Sequence, residues 1–216
     1  VADCVAAPAA SASGQLLVFN GNRAFNDTYS ETFFSFAQAA TRTPVTTTSL
    51  PADLSPNACV LLPANSATFD AGQKATLASY LNGGGTIIAM GENGRFASGP
   101  AATQTMNDLA ASLGVAVSGS PFAAVDPDYR TTTRIQASPY TDGVAKLGYA
   151  YTSLIQVSSP AKLLVSTNQG NQPFLAVQDF GTGKFVSSGD GNIFSGLIGA
   201  YSVDDNARFA KNLCGD

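Results

Sequence analysis

The residues best placed to do chemistry gather in one stretch, Met90-Gly91-Glu92-Asn93-Gly94-Arg95-Phe96. Glu92 is one of only two glutamates in the chain and follows an unbroken apolar run, Ile87-Ile88-Ala89-Met90. A carboxylate there can act as a general acid or base, its pKa raised by burial or lowered by a neighbouring guanidinium such as Arg95. It can equally serve as a structural acceptor for loop amides and for Arg95. A second glycine-rich polar loop, Ser188-Gly189-Asp190-Gly191-Asn192, supplies another carboxylate. Glu92 and Asp190 would make the acid pair of a glycoside hydrolase if they lay roughly 5–10 Å apart. With Asn20, Asn22, Asn65 and Ser66 after two earlier apolar runs, the candidate ligand-binding crevice is Asn20, Asn22, Asn65, Ser66, Glu92, Asn93, Arg95, Asp190 and Asn192. Oxygens of Glu92, Asp190, Asn20 and Asn65 are of the kind a hard cation takes, yet the expectation is no metal and no cofactor. Asp126-Pro127-Asp128 reads as a turn, and Gly91-x-x-Gly94 is too short and lacks the lysine of a phosphate loop.

The chain contains no histidine. That removes Ser-His and Cys-His nucleophile pairs and imidazole metal ligands together. Cys4 and Cys214 lie at opposite ends, and domain termini are often neighbours in space. They read as a disulfide tying the ends, with two unrelated free thiols as the alternative. A bridge implies an oxidising, extracellular setting. Cys59, inside Ala58-Cys59-Val60-Leu61-Leu62, reads as a buried core thiol. Val1-Ala2-Asp3-Cys4 has no basic or long apolar leader, so the expectation is a chain from which any signal peptide has been removed.

These groups must be carried by a scaffold, and periodicity supplies one. Leu16–Phe19, Cys59–Leu62 and Ile87–Met90 are apolar without alternation, as expected of parallel strands covered on both faces. Ligands of such sheets sit beyond the carboxyl ends of the strands, where Glu92, Asn93 and Arg95 would fall. Between them, Phe33, Phe36, Ala37 and Ala40 share a helical face, with Thr28 and Glu31 as a capping box. Asp70 caps a second helix carrying Leu77, Tyr80 and Leu81, which Gly83–Gly85 stop. Met106, Leu109, Ala110 and Leu113 mark a third helix, closed by Gly114. Residues 115–160 break into short strand-like pieces. Lys162–Thr167, Phe174–Phe180 and Lys184–Ser188 read as strands, the last two a hairpin about Gly181-Thr182-Gly183. A final helix from Asp204 or Asp205 turns Ala207, Ala210 and Leu213 inward. No linker interrupts the 216 residues, so one domain spanning 1–216 is expected.

Charged residues are only 12 % and the net charge is −4, against roughly 25 % charged in an ordinary domain. A mildly acidic chain argues against nucleic acid as partner. No apolar run reaches the ~18 residues of a transmembrane segment.

In this order the elements resemble the class I glutamine amidotransferase-like superfamily, over roughly residues 15–213. The resemblance is to its divergent secreted and periplasmic branches and its trehalose-utilisation-like branch. It rests on Asp70-Ala71-Gly72-Gln73 opening a helix, Tyr80-Leu81-Asn82-Gly83-Gly84-Gly85 before the third strand, Ser138-Pro139-Tyr140-Thr141-Asp142-Gly143-Val144, and Phe180-Gly181-Thr182-Gly183-Lys184-Phe185-Val186 leading to Gly189-Asp190. The resemblance implies a three-layer, flavodoxin-like or Rossmann-like α/β fold, its sheet mostly parallel with an antiparallel hairpin in the C-terminal half. It also implies a lost active site. The family's nucleophile elbow, Gly-x-Cys-x-Gly, falls on Met90-Gly91-Glu92-Asn93-Gly94, so Glu92 stands in place of the cysteine. Gly189-Asp190-Gly191-Asn192 replaces the loop of the late histidine, and Ser138 stands where related sequences often have histidine before proline.

The expected protein is therefore a non-catalytic extracellular or cell-surface domain, a structural or binding subunit of a homomeric fibre, layer or adhesion. Its expected partners are itself and a glycan. The alternative is a secreted carbohydrate-active hydrolase using Glu92 and Asp190.

Overall fold

The computed structural model describes residues 14–22, 31–125, 129–189 and 191–215. The strands are β1 (Gln15–Phe19), β2 (Thr43–Thr47), β3 (Asn57–Pro63), β4 (Thr86–Met90), β5 (Val117–Val125), β6 (Arg130–Thr132), β7 (Leu147–Tyr149), β8 (Thr152–Val157), β9 (Lys162–Ser166), β10 (Pro173–Phe180) and β11 (Gly183–Ser188). The helices are α1 (Phe34–Ala39), α2 (Ala71–Asn82), α3 (Gly99–Ser112), α4 (Ala200–Val203) and α5 (Asn206–Cys214). Seven strands form the central sheet in the order β2-β1-β3-β4-β11-β10-β9. The pairings β2-β1, β1-β3, β3-β4 and β4-β11 are parallel, and β10 is antiparallel to both its neighbours. This is the expected α/β architecture, with its parallel body and antiparallel hairpin.

Burial explains the apolar runs. Leu16, Val18, Cys59, Leu61, Ile88 and Met90 face a core shared with α1 and α5 through Phe36, Phe209 and Leu213. Leu17, Phe19, Val60, Leu62, Ile87 and Ala89 face the opposite core, with Leu77 and Leu81 of α2 and Met106 and Leu109 of α3. Successive side chains of a strand point to opposite faces, so a strand between two helical layers has no face left for polar residues. The Asp70 capping box forms: its side chain accepts from the Gln73 amide, and the Gln73 side chain accepts from the Asp70 amide. Thr28 lies outside the described residues, and Glu31 is exposed. The Thr43–Thr47 edge strand contains Pro44, which has no amide to offer a further strand.

One expectation is corrected. Cys214 is bonded to Cys59, not to Cys4, with Cα atoms 5.7 Å apart; Cys4 lies outside the described residues. Cys59 begins the unbroken buried run of β3 and faces the α5 side of the sheet, and Cys214 closes the last turn of α5 beside Leu213 and Ala210. The bond fastens the C-terminal helix to the central sheet. Arg42 reinforces it, its Nε donating to the Cys214 carbonyl at 2.7 Å.

Candidate functional site

Strands β1, β3, β4 and β11 end on one side of the sheet, so the segments following Phe19, Pro63, Met90 and Ser188 are neighbours. Parallel topology thus gathers the candidates that sequence spacing separates. Asn20 follows β1, Asn65 follows β3, and Glu92 and Asn93 follow β4. Asn192 comes after β11. All five are buried, Glu92 to 2 % exposure and Asn93 completely.

Glu92 is held from four directions. Its Oε1 accepts from the Asn93 amide at 2.7 Å. Its own amide donates to Thr103 Oγ1 at 3.2 Å, and its carbonyl accepts from the Thr103 and Ser153 hydroxyls at 3.0 and 2.9 Å. Burial raises its pKa to about 7, with the Asn93 amide pulling the other way. The Asn93 side chain accepts from the Arg95 amide at 2.9 Å, while its Nδ2 is buried without a hydrogen-bond partner. Arg95 enters the site only through that backbone amide, its side chain being exposed. Of the two influences expected on the Glu92 carboxyl, burial acts on it and Arg95 does not.

The loop leaves no slack. A Cβ on Gly99 would lie 2.0 Å from the Asn93 carbonyl oxygen, and one on Gly189 would lie 1.9 Å from that of Ser153. The start of α3 is therefore packed against the Asn93 backbone, and the segment after β11 against that of β8. Nor is the turn a nucleophile elbow. Such an elbow is a sharp, strained strand-to-helix turn, whereas residues 91–98 separate β4 from α3. The described non-glycine residues with positive φ are Thr41, Ala64, Tyr151 and Asn171, and Glu92 is not among them.

Asn22 and Ser66 adjoin one another, and Asn20 and Asn192 make structural bonds of their own. Asn22 accepts at its carbonyl from the Ser66 and Ala67 amides at 2.6 and 3.2 Å, and its Nδ2 donates to Thr68 O and Gln73 Oε1. Asn20 pins the end of β1 by donating its amide to Thr47 O at 2.7 Å. Asn192 Nδ2 donates to Ala150 O at 3.2 Å. Asp190 and the pair Asp126 and Asp128 lie outside the described residues. No group of three or more His, Cys, Asp or Glu able to hold a metal occurs among the described residues. A groove of about 240 Å³ lined by Asp53, Ser55, Thr76 and Tyr80, and an open basin of about 570 Å³ lined by Arg134, Gln136, Asn168 and Asn171, both lie away from these candidates.

Thr103 and Ser153 are the residues that sequence reasoning missed. Thr103 had a signal: it lies three before Met106 and seven before Ala110, on the predicted inward face of α3. Ser153 had none, because residues 115–160 carry no clear period.

No family model matches the chain, and no curated protein matches it in sequence. Solved structures do share its fold. The N-terminal domain of mmIFT52 superposes with a TM-score of 0.69 at 16 % identity, covering 90 % of this chain and 92 % of that one. A cytoplasmic protein from Salmonella typhimurium LT2 gives 0.66 at 14 %, covering 93 % and 97 %. A ThuA-like protein from Parabacteroides merdae gives 0.58 at 13 %, covering 92 % and 88 %. At these identities the likeness is one of fold.

Proposed function

We propose that this chain is a non-catalytic amidotransferase-like domain that works outside the cell as a structural or binding subunit of a homomeric assembly. The observation that carries the reading is the state of Glu92. The residue in the nucleophile's position is buried and bonded to its own loop and to Thr103 and Ser153. The histidine-free sequence and the open β4–α3 connection support the same conclusion. The buried Cys59–Cys214 bond supports an oxidising compartment. Assembly is supported by a surface that carries little charge and exposes Phe96, Tyr129, Leu197 and Val203. A glycan is the ligand class in keeping with the amide-rich carboxyl end.

Two measurements test this. Purified protein should release no ammonia from glutamine, and light scattering across a concentration series should show association. Ammonia release, or a monodisperse monomer at every concentration, defeats the corresponding half of the proposal.

A second reading has one observation in its favour, since a carboxyl raised to about 7 suits a general acid. In that reading the chain is a secreted carbohydrate-active hydrolase using Glu92 and Asp190. Polysaccharide cleavage that falls by about 10²-fold or more in Glu92→Gln, a loss typical of removing an acid–base group, would establish it.

A further inference from the structure

Beside the Glu92 loop, and independent of the function proposed for it, the junction of β3 with α3 contains an unspent hydrogen-bond acceptor. Pro63 ends β3, Ala64 turns the chain with φ 39°, and Asn65 then points inward at 3 % exposure. Its Nδ2 reaches the Pro63 carbonyl at 3.5 Å, at the long limit of a hydrogen bond. Its Oδ1 is buried with no partner in the protein. Buried polar atoms are nearly always paired, by protein or by ordered water. An orphan therefore points to an occupant.

Asn65 borders a cavity of about 10 Å³ whose other walls include Phe69, Met90, Ala102, Thr105 and Met106. One water needs on the order of 10–15 Å³ of such space, and purely apolar cavities of this kind stay dry. This one is not purely apolar. Its wall is mostly apolar, but the buried Asn65 and Thr105 both border it. A hard cation would require six or more oxygen ligands, which two side chains do not supply, and any organic molecule exceeds the volume.

We propose that this cavity is a binding site for a single water molecule, which donates one hydrogen to Asn65 Oδ1 and takes Thr105 Oγ1 as its second partner. The water ties the end of β3 to the buried face of α3, across which Thr103 anchors Glu92. It completes at Asn65 what protein groups complete at Glu92.

A crystal structure that resolves ordered solvent should show one peak about 2.7–3.2 Å from Asn65 Oδ1. In solution, the side-chain methyls of Met90 and Met106 should show nuclear Overhauser transfer from a long-lived water. Asn65→Leu, which removes the acceptor and fills the space, should abolish that transfer and leave the rest of the methyl spectrum in place. A dry cavity, an Asn65 amide rotated onto a protein group, or density larger than one water overturns the proposal. If Asn65→Leu does not fold, the measurements on the unaltered protein decide alone.

Discussion

The two ends of β3 are held by different physics. At the amino end Cys59 is covalently joined to Cys214, Asn57 Nδ2 donates to Leu54 O, and the Tyr80 hydroxyl donates to Asn57 O at 2.9 Å. Each of these contacts consumes a reactive or polar group in fastening the chain. At the carboxyl end the groups are buried but not all consumed. Asn65 Oδ1 and Asn93 Nδ2 lack partners, Ala64 holds a left-handed backbone, and the Glu92 carboxyl is raised to about 7. Stability is concentrated at one end and unspent polar capacity at the other. In open parallel sheets the carboxyl end is where ligands bind, and the unpaired polar atoms of this sheet lie at that end.

Removing the covalent tie should have the largest effect on that contrast. The bond closes a loop with a sequence separation of 155, for which the chain-entropy model gives about 5 kcal/mol. Denaturant melts of Cys59→Ala/Cys214→Ala under non-oxidising conditions should show a loss of this order. A change below about 1 kcal/mol would mean that hydrogen bonds and packing hold the amino end without it.

The next effect belongs to the carboxyl end and depends on pH. Glu92 has a folded pKa of about 7 against a reference of 4.5, so between those values the folded state binds more protons than the unfolded state. Its contribution to stability is full below about pH 4.5, falls as pH rises, and is spent above about pH 7. The total change is on the order of 3 kcal/mol. Glu92→Gln, which keeps an acceptor for the Asn93 amide, should flatten the stability–pH curve over this window and be the more stable form at pH 8. A slope unchanged by the substitution would place the titration elsewhere.

The smallest effect returns to the amino end. Tyr80→Phe leaves the Asn57 carbonyl without its buried donor and should cost about 1–2 kcal/mol, read as a shifted urea midpoint with an unchanged slope. A neutral result would show that the disulfide and the Asn57–Leu54 bond secure that end without it.

Much of this contrast was legible before folding. The unalternating runs at Leu16–Phe19, Cys59–Leu62 and Ile87–Met90 require two covered faces, because a pleated strand points its side chains to both sides. A parallel sheet then sends Asn20, Asn65 and Glu92 to a common end. The Asp70 cap and the hairpin about Gly181–Gly183 were readable because backbone amides near a turn accept only a few residue types. The site was half legible: Glu92 and Asn93 were identified, but their supports Thr103 and Ser153 come from a helix and a strand distant in sequence.

The sequence by itself determined the parallel sheet, the placing of its polar loops beyond the carboxyl ends, and the absence of imidazole chemistry, since these depend on local period and residue type. Tertiary structure alone decided that Cys59 and not Cys4 meets Cys214, since a disulfide needs two Cβ atoms brought together, and only the packing of α5 on the sheet does that. Tertiary structure also decided that Glu92 is buried rather than paired with Arg95, because its solvation is set by α3 and β8 closing over the loop. A carboxylate's identity is written in the chain; its charge at neutral pH is set by what packs around it.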